Sequence, residues 1–90
     1  MGATRVLAII NEKGLHARAS AKFVEVVEDF DASAVVVKDG MKVSGDSIMG
    51  LLMLAASRGS SIEVTTDGPQ AEALAEALRA LVANRFGEDY

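Results

Sequence analysis

The sequence contains no cysteine and a single histidine, His16. The lack of cysteine excludes disulfides, thiolate metal ligands and a thiol nucleophile. One histidine without any cysteine also argues against a zinc site, because structural zinc is held by clusters of those two residue types. We therefore expect no metal and no resident cofactor.

Aromatic side chains and positive charge are also scarce. Three Phe, one Tyr and no Trp offer few platforms for stacking bases, and a formal net charge of −4 opposes binding to nucleic acid. No apolar run is long enough to span a bilayer, and the N-terminus lacks the layout of a signal peptide. These absences predict a cytoplasmic protein with neither a nucleic-acid nor a membrane partner.

The length and apolar content predict one small domain over residues 1–90. Hydrophobic residues make up 50% of the chain, which suffices for a modest core but leaves little margin. We expect a monomer. The last residues, 87–90, are small, acidic or terminal and are predicted to be a frayed tail.

Hydrophobic periodicity predicts the element order β-α-β-β-α-β-α. Period-two or β-branched stretches predict strands over 4–10, 34–38, 41–44 and 61–66. Helical spacing predicts helices over 17–30, over 48–56 with an end near Gly59, and after Asp67-Gly68-Pro69. Asp39-Gly40 between two strands predicts a tight hairpin. This order is typical of an α+β fold in which helices cover one face of a sheet.

His16 lies where the first strand gives way to the first helix, in the segment Gly14-Leu15-His16-Ala17-Arg18. A helix start offers unpaired backbone N–H groups and the positive end of the dipole, which together favour an anion. Histidine can carry a covalent group, and the Arg18 guanidinium suits phosphate oxygens. The pattern therefore indicates a phosphoryl group held on His16. The alternative at this point is a His16 that only caps the helix or lies solvated on the surface.

The second helix carries no charge between Ile48 and Ala56. A short helix on a sheet buries one stripe, so we expect an exposed apolar surface that binds partners, formed by Ile48, Met49, Leu52 and Met53. A wholly buried helix is the alternative. Ser47 is predicted to be the N-cap of this helix, and the same position could accept a regulatory phosphate.

Other catalytic patterns are missing from the sequence. There is no Ser-His-Asp set, no carboxylate spacing that marks an acid/base pair, and no P-loop or dinucleotide-binding glycine pattern. A protein that holds phosphate without binding a nucleotide must receive it from one protein and pass it to another. We therefore expect a carrier and not an autonomous enzyme. The competing class is a non-catalytic regulatory or interaction domain with a ferredoxin-like core.

Two segments resemble the HPr family of bacterial phosphocarrier proteins, which serve the phosphoenolpyruvate-dependent phosphotransferase system. Residues 14–18 resemble the active-site segment of the family, and residues 45–51 resemble its regulatory-serine segment. The resemblance implies an open-faced β-sandwich, with a four-stranded antiparallel sheet of order 1-4-2-3 and three helices on one face. It covers nearly the whole chain.

The same resemblance implies roles for the site residues. His16 would accept a phosphoryl group on Nδ1 from phosphorylated enzyme I and donate it to a histidine of a downstream acceptor. Arg18 would stabilise the phosphate together with the first-turn amides of Ala17, Arg18 and Ala19. Ser47 would be modified by a serine kinase, and a phosphatase would reverse this. The apolar surface on the second helix would dock the partners.

Within the family, the nitrogen-related branch (NPr) looks closer than the sugar-transport branch. The segments that carry this likeness are 30–32, 55–59, 62–64, 68–70 and the acidic tail.

Two positions depart from the pattern of the family. The family usually has Pro where this chain has Ala19, which puts the lifetime of the phosphohistidine in question. Glu25 and Glu28 occupy positions where sugar-branch members often carry lysine, so partner preference is expected to differ.

Overall fold

The computed structural model describes residues 2–90, and its elements follow the expected order. The strands are β1 (Gly2–Ala8), β2 (Ser33–Lys38), β3 (Met41–Ser44) and β4 (Ser61–Asp67). The helices are α1 (Ala17–Glu28), α2 (Ile48–Met53) and α3 (Ala71–Ala83), and a short 3₁₀ turn spans Arg85–Gly87. The four strands form one antiparallel sheet of order β1-β4-β2-β3, as the resemblance implied.

The helices cover one face of this sheet because its strands alternate in polarity. Along β4, Ile62, Val64 and Thr66 are buried while the residues between them are exposed. The helices present matching apolar stripes, with Phe23 of α1 and Leu74 of α3 fully buried. The hydrophobic core therefore lies between the sheet and the helix layer, and the other sheet face is open to solvent.

The hairpin between β2 and β3 forms at Asp39-Gly40 as predicted. Both residues adopt positive φ, 50° at Asp39 and 81° at Gly40, which matches the twist of the two strands. Lys38 and Met41 are the paired residues that close the turn.

Several element boundaries differ from the sequence prediction. β1 begins at Gly2 and ends at Ala8, although the backbone of Ile9 still bonds to Gly59 and Ser60. α2 ends at Met53, well short of Ala56, because Ala55 takes a left-handed conformation with φ 51°. The chain that follows α2 turns back, and the carbonyl of Ala56 accepts a hydrogen bond of 2.9 Å from the amide of Leu15.

The tail over residues 87–90, which the sequence predicts to be frayed, lies against the domain in this structure. Phe86 is only 1% exposed and inserts into the core. Lys22 Nζ donates a 2.7 Å hydrogen bond to the carbonyl of Phe86, and the amide of Glu12 donates one of 3.1 Å to the carbonyl of Tyr90. The tail is thereby fastened beside the start of α1, because an apolar anchor directly precedes its polar residues.

Candidate functional site

His16 is the N-cap of α1. Its backbone is extended, with φ −77° and ψ −176°, and its carbonyl accepts a 2.8 Å hydrogen bond from the amide of Ser20 that begins the helix. The Nδ1 atom of its ring accepts a hydrogen bond of 3.2 Å from the backbone amide of Arg18. The lone pair of Nδ1 therefore points toward the backbone amides of the first helical turn, which have no partner within the helix.

The other ring nitrogen, Nε2, is in hydrogen-bond contact with Oε2 of Glu88 in the tail. Because Nδ1 acts as an acceptor, this network assigns the ring proton to Nε2, which donates to the carboxylate. Glu88 is held in turn by Asn11, whose Nδ2 donates 3.0 Å to Oε1 of Glu88 and 2.8 Å to the carbonyl of Gly14. The imidazole is thus fixed from both sides.

Glu88 is ionised in this setting. Burial raises the pKa of its carboxyl group, but hydrogen bonds from Asn11 and His16 outweigh that effect together with the positive charges of Lys13 and of His16 when its ring is protonated. The net result is a pKa below the ordinary value of a glutamate. The carboxylate form is therefore favoured by folding.

This lowered pKa predicts an acid-dependent loss of stability. The contribution of Glu88 is fully present above the ordinary pKa of Glu and disappears as the pH falls through the lower folded-state value. We expect Glu88→Gln to lose less stability than the wild type when the pH falls from about 6 to about 3, across the ordinary Glu range. Urea denaturation of both proteins at the two pH values measures this difference. Equal losses in the two proteins would contradict the assignment.

Side chains of both charge signs lie around the start of α1, among them the acids Glu12, Glu88 and Asp89. A cleft of about 540 Å³ opens beside His16, and its lining includes Lys13, Arg18 and Lys22. Within residues 2–90, the guanidinium of Arg18 makes no hydrogen bond or ion pair and is exposed to solvent. The amides of Ala17 and Ala19 belong to the same first turn, and the methyl group of Ala19 is buried. An anion at Nδ1 would meet both the helix start and this free cation.

The second predicted site is at the start of α2. Ser47 is its N-cap, and the Oγ atom accepts a 3.0 Å hydrogen bond from the amide of Gly50. Leu51 is fully buried, whereas the side chains that we call the α2 patch are open to solvent or partly so: Ile48 (41% exposed), Met49 (69%), Met53 (64%) and the half-buried Leu52. The wholly buried alternative is therefore wrong, and an apolar surface remains.

No group of three or more His, Cys, Asp and Glu side chains in residues 2–90 is arranged to hold a metal ion. In the same part of the chain, none of the helices has the length and apolar character needed to cross a bilayer.

Comparison with known proteins decides the family. Residues 3–84 match the family described as "PTS HPr component phosphorylation site". The chain belongs to the HPr family. The HPr of Cupriavidus necator is 48% identical over 84 residues, which cover 93% of this chain and 94% of the relative. The phosphocarrier protein NPr of Shewanella violacea is 39% identical over 84 residues, covering 93% and 92% of the two chains.

Solved HPr structures share the fold. HPr-C-His of Thermoanaerobacter tengcongensis superposes with a TM-score of 0.93 at 35% identity, covering 98% of this chain and 99% of its own. The HPr of Bacillus anthracis superposes with a TM-score of 0.85 at 40% identity, covering 90% and 96%. The resemblance seen in the two sequence motifs is therefore confirmed. Because relatives carry both names, HPr and NPr, the branch stays a prediction.

One contact of this HPr-family site could not be found in the sequence. His16, Arg18 and Ser47 were singled out by motif and position, but Glu88 lies at the far end of the chain in a stretch predicted to be loose. The signal that could have placed it is Phe86, whose apolar ring requires burial and draws the tail onto the domain.

Proposed function

We propose that this protein is a phosphocarrier that accepts a phosphoryl group on Nδ1 of His16 from phosphorylated enzyme I. It would then donate that group to a histidine of a downstream acceptor. The observation that carries this proposal is the hydrogen bond from the amide of Arg18 to Nδ1, which aims the lone pair at the helix start. Family membership supports the same role.

The chemistry follows from this arrangement. The Nδ1 lone pair attacks the phosphorus of the donor phosphohistidine. The P–N bond of the donor breaks, and its electron pair stays on the donor ring. Phosphoryl transfer passes through a loose transition state with charge on the equatorial oxygens, so positioning and electrostatics dominate. First-turn amides and the Arg18 guanidinium supply donors to those oxygens. One charge-assisted hydrogen bond contributes roughly 1.5–3 kcal/mol, which stabilises the phosphate without trapping it.

The protein acts as a carrier in this proposal and not as an autonomous enzyme. One protein phosphorylates it and another takes the phosphoryl group from it, so its phosphorylated and unphosphorylated states must have similar free energies. We place this exchange in the cytoplasm, with both partners docking on the α2 patch and the rim of the cleft. The NPr-like segments favour a nitrogen-related acceptor over a sugar-transport one.

The direct test is to incubate the purified protein with enzyme I and phosphoenolpyruvate. We expect intact mass spectrometry to show one added phosphate that is lost in acid, since phosphohistidine is acid-labile. A reaction without phosphoenolpyruvate is the control. A protein that gains no phosphate in the complete mixture would overturn the proposal.

Ser47 is proposed as the regulatory phosphorylation site, and the charge of a phosphate there can be mimicked. Ser47→Asp keeps an N-cap acceptor for Gly50, so we expect the free energy of unfolding to change by less than about 0.5 kcal/mol. The added charge beside the α2 patch should reduce the rate of phosphate uptake from enzyme I on the order of tenfold.

Ser47→Ala is the matched control for this prediction. It removes the cap hydrogen bond and should cost about 1 kcal/mol of stability. It adds no charge, so its uptake rate should stay near that of the wild type. Quenched phosphorylation assays measure the rate of phosphate uptake, and urea denaturation measures the free energy of unfolding. Equal uptake rates for Ser47→Asp and Ser47→Ala would count against a regulatory role.

A further inference from the structure

Ser20 of α1 holds the backbone on both sides of His16. Its amide donates a 2.8 Å hydrogen bond to the carbonyl of His16, and its hydroxyl donates one of 3.2 Å to the carbonyl of Leu15. We propose that Ser20 is a positioning residue for His16: it fixes the two peptide planes that flank the histidine and so sets the direction of the imidazole ring. This inference rests on the proposed function of His16.

The hydroxyl bond lies outside the regular pattern of α1. A serine inside a helix commonly donates to a carbonyl three or four residues earlier, whereas the Ser20 hydroxyl reaches five residues back. Because His16 is the N-cap, the backbone ladder of the helix starts at its carbonyl and not at that of Leu15. The Ser20 side chain therefore satisfies a carbonyl that the helix ladder leaves out.

Burial makes this bond important. Ser20 is fully buried and Leu15 is nearly so, which keeps water from replacing the hydroxyl as the donor to the Leu15 carbonyl. A buried carbonyl that loses its donor destabilises the conformation that holds it there. The amide of Leu15 is also held, by a 2.9 Å hydrogen bond to the carbonyl of Ala56. The residue before His16 is thus fixed at both of its backbone polar groups.

The two bonds from Ser20 restrain the two soft dihedrals of His16. Peptide units are planar, so the planes before and after a residue determine its φ and ψ. The Leu15 carbonyl belongs to the plane before His16, and the His16 carbonyl belongs to the plane after it. Together they keep φ at −77° and ψ at −176°, the conformation in which Nδ1 accepts the 3.2 Å hydrogen bond from the amide of Arg18.

Ser20 acts through the backbone and not on the phosphoryl group. Its side chain is fully buried and donates to Leu15, so it is not available as a ligand for the phosphate oxygens. For the same reason it does not belong to the surface on which a partner docks. Loss of the hydroxyl should therefore change the orientation of the ring of His16, on which the rate of transfer depends, and leave docking unchanged.

The test measures single-turnover transfer from phosphorylated enzyme I over a range of carrier concentrations. The variants are Ser20→Ala and a matched control, Thr66→Val, which also removes a fully buried hydroxyl, one that donates 2.7 Å to the carbonyl of Ala71 in α3. We expect Ser20→Ala to lower the maximal rate about tenfold, with the half-saturating concentration changed less than about twofold. Thr66→Val should keep both quantities within about twofold of the wild type. A Ser20→Ala variant whose kinetics match those of Thr66→Val would overturn the positioning role.

A second readout examines the contact without any phosphate. In the unphosphorylated wild type we expect the hydroxyl proton of Ser20 to exchange slowly enough to be observed by NMR, because it is buried and hydrogen-bonded. The amide signal of Arg18 reports the hydrogen bond to Nδ1 of His16. It should move toward its position in an unstructured chain in Ser20→Ala and stay in place in Thr66→Val.

The outcomes separate this inference from the proposed function. A Ser20 hydroxyl proton that exchanges freely in the wild type would overturn the contact, whether or not Ser20→Ala folds. An Arg18 amide signal that does not move in Ser20→Ala would overturn the effect on the ring. A wild type that takes up no phosphate would instead overturn the proposed function of His16, and the NMR signals would still test the contact.

Discussion

Replacement of His16 by Ala is expected to abolish phosphate uptake from enzyme I and phosphoenolpyruvate completely. The chain has no other histidine and no cysteine, so no second side chain can form a comparable phosphoramidate or thiophosphate link. The loss should fall below detection in a mass-spectrometric assay that saturates the wild type. Retained acid-labile phosphate in this variant would sink the assignment of His16.

A second substitution separates chemistry from folding. His16→Ala also removes the side-chain cap of α1, at a cost of about 1 kcal/mol. His16→Asn keeps a cap acceptor for the amide of Arg18 but offers no nucleophilic ring nitrogen. We expect His16→Asn to be more stable than His16→Ala in urea and equally unable to accept phosphate. Uptake that tracks stability instead of the imidazole would contradict the proposed role.

Gly14→Ala is expected to produce the largest loss of stability among single-methyl additions. Gly14 has φ +65°, and an added Cβ would lie 2.5 Å from the carbonyl oxygen of Ala56 and 2.9 Å from Cα of Ser57. Both neighbours are backbone atoms, so they cannot rotate away as a flexible side chain would. We expect a cost of about 3–5 kcal/mol, within the range of severe overpacking and backbone strain.

Gly40→Ala is the matched control for this effect. Gly40 has φ +81° in the β2–β3 hairpin, and nothing lies within 4 Å of an added Cβ. This variant carries the conformational penalty alone, which is about 1–2 kcal/mol. The difference between the two variants in urea denaturation therefore measures the clash at Ala56. Equal losses would show that φ, and not close approach, fixes glycine at position 14.

Much of the fold could be predicted because its signals are local. The strict alternation in β4, the apolar stripe of α3 and the Asp39-Gly40 turn each encode their own element, and all three appear in the structure. The end of α2 was misplaced because it is set by a tertiary contact. Ala55 adopts a positive φ, and the carbonyl of Ala56 then accepts a hydrogen bond from Leu15. The apolar run after Ser47 contains no local signal for this conformation.

The site divides in the same way. His16, Arg18 and Ser47 could be proposed from the sequence because a helix start is a local feature that brings its own amides and dipole. Glu88 could not be, because its place depends on the burial of Phe86 and on a buried amide at Asn11 far away in sequence. Contacts between the two ends of a chain carry no periodicity, so only the folded structure reveals them.

The strand order has a consequence for how this protein is made. β4 pairs with β1 on one side and β2 on the other, so one of the two central strands of the sheet comes from residues 61–67. During synthesis β1 cannot pair until residues 61–67 of β4 have been made. Long-range pairing of this kind slows folding. The loop before His16 also depends on later residues, because the amide of Leu15 bonds to the carbonyl of Ala56 and the ring of His16 contacts Glu88. An unfinished chain therefore lacks the contacts that hold the ring of His16 in place.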